Sequence, residues 1–148
     1  MTIREFKPSD HNACIQIFQK NLGIYFAMEE LALFQNWLYN HSEYPYFVVQ
    51  DGHKIIACGG IYMDSRYAKA GLSWGMVDPK YHSKGIGTEL TLFRLKLIRE
   101  VYPNQHCFIE TSQHTKGFYQ KMGFQTKNIT KNGLGKGLDK YYMELNAA

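Results

Sequence analysis

Apolar residues along the chain change period repeatedly, and the changes outline strands alternating with helices. Residues 2–6 read as a short strand, stopped by Lys7-Pro8-Ser9-Asp10, where the proline and the Ser/Asp pair signal a helix start. From there Cys14, Ile15, Phe18 and Leu22 recur at helical spacing. After an aromatic link, Gly23-Ile24-Tyr25-Phe26, the acids Glu29 and Glu30 precede a second helical run over 31–39, with Leu31, Phe34 and Leu38 on one face. Residues 46–50 and 54–62 are β-rich and flank Asp51-Gly52, a two-residue hairpin signal. Gly59-Gly60 inside the second of these strands predicts a bulge or a close backbone approach. A polar loop over 64–69 leads to a strand over 70–77. The plainest helix covers 88–101: Leu90, Phe93, Leu97 and Val101 form one stripe, and Leu92, Leu95 and Ile98 widen it, so a largely buried helix is expected. Tyr102-Pro103-Asn104 breaks it. A strand over 106–111, a short helix containing Phe118 and Tyr119, and an antiparallel pair over 125–129 and 140–145 around a long glycine-rich turn at 132–137 complete the chain. The order βααβββαβαββ predicts an α/β, mixed α+β fold: a central mixed, mostly antiparallel sheet with helices on both faces.

Length and composition narrow the picture. The 148 residues suit one domain, 1–148, large enough for a single core without disulfides or a structural metal. No apolar run approaches the ~18 residues needed to span a bilayer, and the N-terminal stretch lacks a secretory apolar segment, so a cytoplasmic protein without a membrane partner is expected. Cys14, Cys58 and Cys107 are odd in number and sit in apolar segments, which predicts reduced, buried thiols. The histidines show no ligand spacing, and no metal is expected. The net charge of +4 comes from the C-terminal part, where Lys116, Lys121, Lys127, Lys131, Lys136 and Lys140 face only Asp139 and Glu144. These lysines are scattered singly and lack interleaved stacking aromatics, which favours a solvated surface over a nucleic-acid face.

The stretch from Val77 to Leu90 carries the candidate chemistry. It joins an apolar strand to an amphipathic helix, and Pro79 keeps the strand from simply continuing. Gly85 and Gly87 allow close backbone approach, and a helix's first turn offers amides without internal partners, a ready site for phosphate. With Lys80 and Lys84 beside it, the stretch reads either as a pyrophosphate cradle or as an ordinary glycine loop capping a helix. Two other phosphate loops fail on spacing. A dinucleotide fingerprint needs a small residue where Leu90 stands. A Walker loop ending at Gly135-Lys136 would put Thr130 at its first glycine position and Gly137 where Ser or Thr belongs.

The run Tyr81-His82-Ser83-Lys84-Gly85-Ile86-Gly87-Thr88 resembles the acyl-CoA loop of the GNAT superfamily of N-acetyltransferases, (Gln/Arg)-x-x-Gly-x-(Gly/Ala), with His82 where Gln or Arg is usual. Downstream, Gly117-Phe118-Tyr119-Gln120-Lys121-Met122-Gly123-Phe124 resembles the same family's helix-plus-strand signature, a tyrosine followed by x-Lys-x-Gly-Phe. With the element order, the resemblance covers nearly the whole chain. It implies a GNAT-like fold and acetyl-CoA as co-substrate. Backbone amides of Ser83, Lys84, Gly85, Ile86, Gly87 and Thr88, with His82 at the head of the loop, would then hold the pyrophosphate. Gly75, Met76 and Val77 would pair with the pantetheine arm, one of their amides polarising the acetyl carbonyl. Tyr119 would lie near the thioester sulfur and protonate the CoA thiolate. Ser112 stands where many relatives have an asparagine that touches the pantetheine. Because residues 23–39 would overhang the acceptor, Tyr25, Phe26 and Trp37 become substrate-contact candidates, although core packing explains each equally well.

A lysine-like amine, pKa ~10.4, is protonated at neutral pH, so its proton must be taken directly or through water. Some relatives carry a glutamate early in the fourth strand; Gly71 stands there in this chain. Glu110, an acid following apolar Cys107-Phe108-Ile109, is the best remaining carboxylate, with a solvated strand end as the alternative and His114, Asp78 or a water relay still open. The function expected is acetyl transfer from acetyl-CoA to a primary amine of a small molecule or peptide. A non-catalytic acyl-CoA-binding or sensing module is the alternative, against which the retained Tyr119 speaks. The expected partner is the amine acceptor, not a nucleic acid, and a homodimer stays open.

Overall fold

The computed structural model describes residues 1–40, 43–66 and 68–145. Its elements are β1 (Thr2–Glu5), α1 (His11–Lys20), α2 (Glu30–Asn40), β2 (Tyr46–Asp51), β3 (Lys54–Asp64), β4 (Lys69–Val77), α3 (Ile86–Val101), β5 (His106–Thr111), α4 (Lys116–Lys121), β6 (Gln125–Gly135) and β7 (Leu138–Leu145). The order is the one the periodicity predicts. One seven-stranded sheet runs β1-β2-β3-β4-β5-β7-β6, antiparallel throughout except where β4 pairs in parallel with β5. The expected hairpin forms one residue later than Asp51-Gly52: Asp51 stays in the strand and pairs with Lys54, and the turn residues are Gly52, at φ +61°, and His53. Of the polar loop expected over 64–69, residue 67 lies outside the described residues, and both flanking strands reach into it.

Successive strand residues point to opposite faces, and the core follows that alternation except at Ile56, the extra residue where the β2–β3 register shifts. Val48 and Cys58 pack beneath α1 and α2 with Phe18, Phe34 and Leu38. Val49, Ile56 and Ala57 pack beneath Ile86 and Leu90 of α3, and Ile61, Leu72 and Ile109 beneath Leu95, Ile98 and Tyr119 of α3 and α4. The three cysteines are free and buried, as expected. Burial pushes the Cys107 thiol up to about 12. Among the described residues no helix is long and apolar enough to cross a membrane.

Two sequence expectations are corrected. The glycine-rich stretch at 132–137 is not a long turn: β6 runs to Gly135 and β7 starts at Leu138. Side-chain bonds hold this irregular part of the hairpin extended, with Asn132 N–H donating to Asp139 Oδ1 at 2.9 Å and Gly137 N–H to Asn132 Oδ1 at 2.8 Å. The apolar stripe of α3 is also drawn differently. Leu92 and Val101 are 52% and 49% exposed, whereas the buried face consists of Ile86, Leu90, Thr91, Arg94, Leu95 and Ile98. Hydropathy alone cannot place an arginine and a threonine inside. Thr91 is satisfied by donating to the Gly87 carbonyl at 2.7 Å.

Arg94 accounts for one glycine of the pair, Gly59, and for Gly75 across from it. Between β3 and β4 the register shifts, so that Met76 pairs with Cys58 and Ser73 with Gly60, leaving Trp74, at φ +43°, and Gly75 bulged opposite Gly59. The Arg94 guanidinium, 2% exposed, lies under this bulge and donates to the carbonyls of Gly60 (3.3 Å) and Ser73 (3.4 Å). A Cβ on Gly59 would stand 3.1 Å from Arg94 Cζ, and one on Gly75 2.6 Å from Nη2, so both positions must stay bare. On the other face, a Cβ on Gly60 would stand 2.6 Å from the Pro45 carbonyl oxygen and the Tyr46 ring.

Candidate active site

Parallel pairing between β4 and β5 is confined to Lys69–Gly71 and His106–Phe108; beyond that, β5 stays with β7 and the two strands part. The edge of β4 from Leu72 to Val77 therefore faces an opening instead of a neighbouring strand. A cavity of about 870 Å³ fills it, lined by residues of the link after α1 and of α2, β3, β4, α3, β5, α4 and the β6–β7 hairpin.

At one end stands the loop into α3. Asp78 is buried and starts a single 3-10 turn, its Oδ1 accepting from Lys80 N–H at 3.0 Å and its Oδ2 lying 3.1 Å from Lys20 Nζ. Burial works against its ionisation, but the Lys80 amide and the ammonium groups of Lys20 and Lys54 hold its carboxyl below the usual range. His82 follows, its Nε2 2.9 Å from the Val77 carbonyl and its ring edge-on to Tyr25, so this histidine ties the loop to the strand end. The chain then turns through Ser83 at φ +64° and Gly85 at φ +81°, left-handed conformations that free the next amides to point outward. Among the described residues, no acceptor within the protein takes the backbone N–H groups of Ser83 through Thr88, and the first of this stretch to be bonded is Glu89, to Gly85 O at 3.0 Å. Ser83, Gly85, Ile86, Gly87 and Thr88 line the cavity. Lys84 turns away, its ammonium 5.7 Å from the centre of the Tyr81 ring.

Gly75, Met76 and Val77 line the cavity from β4, and Tyr119 lines it from α4. Tyr119 is 7% exposed, set edge-on between Phe118 at 5.0 Å and Phe124 at 5.7 Å, and no protein group among the described residues takes its hydroxyl hydrogen bond. The rings fix its position while the hydroxyl is left for a guest. Ser112 lines the cavity as well, but its hydroxyl oxygen accepts from His114 N–H at 3.2 Å, so it also orders the turn into α4.

Aromatic rings wall the far end. Phe26 and Trp37 are there, joined by Tyr62 from β3 and Trp74 from the bulge, whereas Tyr25 lines the cavity beside His82, at the loop end. Phe26 also stacks on Phe18 at 4.8 Å and packs against the core, so for this residue cavity lining and core packing coincide. Two carboxylates open onto this end. Glu110 is 38% exposed at its side chain and pairs with Lys140 of β7 at 3.2 Å. Glu30, 8% exposed, accepts from Ala27 N–H at 3.0 Å and has no cationic partner among the described residues; burial pushes its carboxyl up to about 7. The β6–β7 hairpin closes over this end, Lys136 N–H donating to Glu29 at 3.2 Å. Gly71 could not carry a glutamate here, since a Cβ would stand 2.5 Å from the Tyr62 ring and 2.8 Å from Phe108. Asp78, one of the open base candidates, is absent from the cavity wall, whereas His114 is on it.

Sequence reasoning did not single out Tyr62, Trp74, Arg94 or Lys140 for the site, and it read Glu30 only as a helix-start acid. The glycine pair at 59–60 was the one local sign of Arg94, because it marked a close approach without saying to what.

The loop, the parted strands and the cavity define an acyl-carrier-dependent transferase architecture. Residues 42–126 match the family model for the acetyltransferase (GNAT) domain, more than half of the chain, and the protein belongs to this family of acyltransferases. No curated protein matches the chain. Its fold is close to solved structures along their whole length. An acetyltransferase of the GNAT family from Desulfovibrio desulfuricans aligns with TM-score 0.84 and 21% identity, covering 99% of each chain. The ribosomal-protein-S18-alanine N-acetyltransferase of Escherichia coli aligns with TM-score 0.80 and 19% identity over 99% of this chain and 94% of that one. An acetyltransferase structure from Salmonella typhimurium that contains acetyl-CoA aligns with TM-score 0.77 and 17% identity over 100% and 94%. At these identities the likeness is one of fold.

Proposed function

We propose that the chain is one N-acetyltransferase domain, 1–148, that moves the acetyl group of acetyl-CoA to a primary amine of a small molecule or peptide. The observation that carries this reading is the row of unbonded amides at Ser83–Thr88 at the mouth of a cavity that also holds the free β4 edge and the Tyr119 hydroxyl. The fit to acetyl-CoA is specific in kind. Convergent amides at a helix start suit a pyrophosphate, and an unpaired strand edge suits an amide-bearing arm. That the Salmonella protein holds acetyl-CoA and another similar structure holds coenzyme A supports the same reading.

In this arrangement an amide of the Gly75–Val77 edge donates to the acetyl oxygen as charge develops there. The amine nitrogen forms its bond to the carbonyl carbon, the carbon–sulfur bond breaks, and Tyr119 gives its proton to the departing thiolate. The amine's own proton leaves toward Glu110, directly or through water. His82 keeps the loop registered to the strand end, and Ser112 keeps the β5–α4 turn beside the arm. Reduced, buried cysteines fit a cytoplasmic setting. A non-catalytic sensing module would have no use for the free Tyr119 hydroxyl. Calorimetric titration with acetyl-CoA, followed by a thiol-release assay over a panel of amines, tests the proposal: binding with amine-dependent thiol release is expected, and absence of binding by the folded protein overturns it.

A further inference from the structure

The acceptor end of the cavity has an unusual charge arrangement. Glu110 is already neutralised by Lys140, and the Arg94 guanidinium, which also lines the cavity, is bonded only through Nη1, to two backbone carbonyls, with no carboxylate partner among the described residues. Glu30 alone offers an uncompensated carboxylate, more than nine-tenths buried, on a cavity that also carries the rings of Phe26, Trp37, Tyr62 and Trp74. Its helix-start bond to Ala27 uses one oxygen, Oε1, and a glutamine could make that bond equally well. The negative charge is thus surplus to the fold. Burying it without a partner is costly, and its raised pKa records that cost, which a bound cation would relieve.

We propose that the acceptor is a compact arylalkylamine, a single primary ammonium on a ring-bearing body, whose nitrogen is held by Glu30 and whose ring lies among Phe26, Trp37, Tyr62 and Trp74. This rests on the acetyltransferase reading above. Ring faces attract both an aromatic body and an adjoining cation. With one unpaired carboxylate, and the Arg94 cation on the same cavity, the wall has no place for a second positive charge, which disfavours polyamines and other polycations.

Both tryptophans of the chain, Trp37 and Trp74, line this cavity, so intrinsic fluorescence reports on its occupancy without any turnover. The wild-type protein is titrated with 2-phenylethylamine, with 2-phenylethanol as an uncharged body of the same shape, and with spermidine. The amine should bind at least ~10-fold tighter than the alcohol, the scale of a charge-assisted hydrogen bond, and tighter than spermidine. In Glu30→Gln the preference for amine over alcohol should collapse to within ~2-fold, while the acetyl-CoA affinity is unchanged. Equal binding of amine and alcohol by the wild type, tighter binding of spermidine, or an unchanged preference in Glu30→Gln overturns the proposal. If acetyl-CoA binds and a peptide or polyamine is acetylated while phenylethylamine is not, this acceptor assignment fails and the acetyltransferase reading stands. If phenylethylamine binds through Glu30 and acetyl-CoA does not bind, the reverse holds.

Discussion

At the loop end of the cavity the protein offers backbone: amides of 83–88 freed by two left-handed residues, and a strand edge from which β5 has departed. At the far end it offers side chains, with rings from α2, β3, β4 and the link between α1 and α2, and carboxylates from α2 and β5. Backbone groups tolerate almost any side chain provided the local conformation is kept, so the loop end withstands His82 in place of the usual Gln or Arg. The acceptor end has no such tolerance, since each contact there is one particular residue held by a different element.

The sharpest probe of this contrast is Tyr119, which lines the cavity from α4. Tyr119→Phe keeps the ring between Phe118 and Phe124 and removes the hydroxyl, so acetyl-CoA affinity should hold while kcat falls, by up to ~100- to 10,000-fold. Steady-state kinetics with calorimetry would separate the two quantities, and an unchanged kcat would remove Tyr119 from the chemistry.

Next in size is the loop itself. Gly85→Val with Gly87→Phe forces a β-branched residue to φ +81° and crowds Phe118 and Val77, which lie at 3.7 Å from a Cβ on Gly87. Acetyl-CoA binding should weaken ~100-fold or more, because several charge-assisted bonds are lost together, with circular dichroism unchanged. Undiminished affinity in the folded variant would break the backbone half of the comparison.

A stability measurement examines the side-chain half. The Glu30 carboxyl is raised by burial to about 7, so between its ordinary value and 7 the folded protein holds a proton that the unfolded chain has released. The stability this group contributes is therefore fully present below the ordinary carboxylate range and lost as pH rises through about 7. Glu30→Gln should unfold like the wild type near pH 5 and be more stable near pH 8, by on the order of 2 kcal/mol in urea titrations. Equal pH dependence for the two proteins would show that the charge is not held at a cost.

Smallest is Glu110→Gln, since this residue is half open to water and already paired with Lys140, so that water can replace it in part. Turnover should fall ~10-fold at low pH and recover as pH approaches the amine's own pKa. A pH-independent loss would instead indicate a positioning role through Lys140.

Much was legible in the sequence because it depends on neighbours along the chain. Helical and strand periods gave the element order, Asp51-Gly52 the hairpin, and the left-handed Gly85 the loop that opens into α3. Tyr119 was marked by its place in a short motif. Only the tertiary structure decided that α3 buries Arg94 and exposes Leu92, because an arginine becomes an interior residue when carbonyls of another element wait beneath a bulge. The same holds for Lys140 against Glu110, a meeting set by the register of β5 on β7, and for Glu30, whose helix-start signature reads alike whether the carboxylate faces water or a wall of rings. Local conformational preference is encoded within a few residues, even though packing is needed to hold it. The electrostatic environment of a side chain is the sum of what distant segments bring to it, and no window of sequence contains that sum.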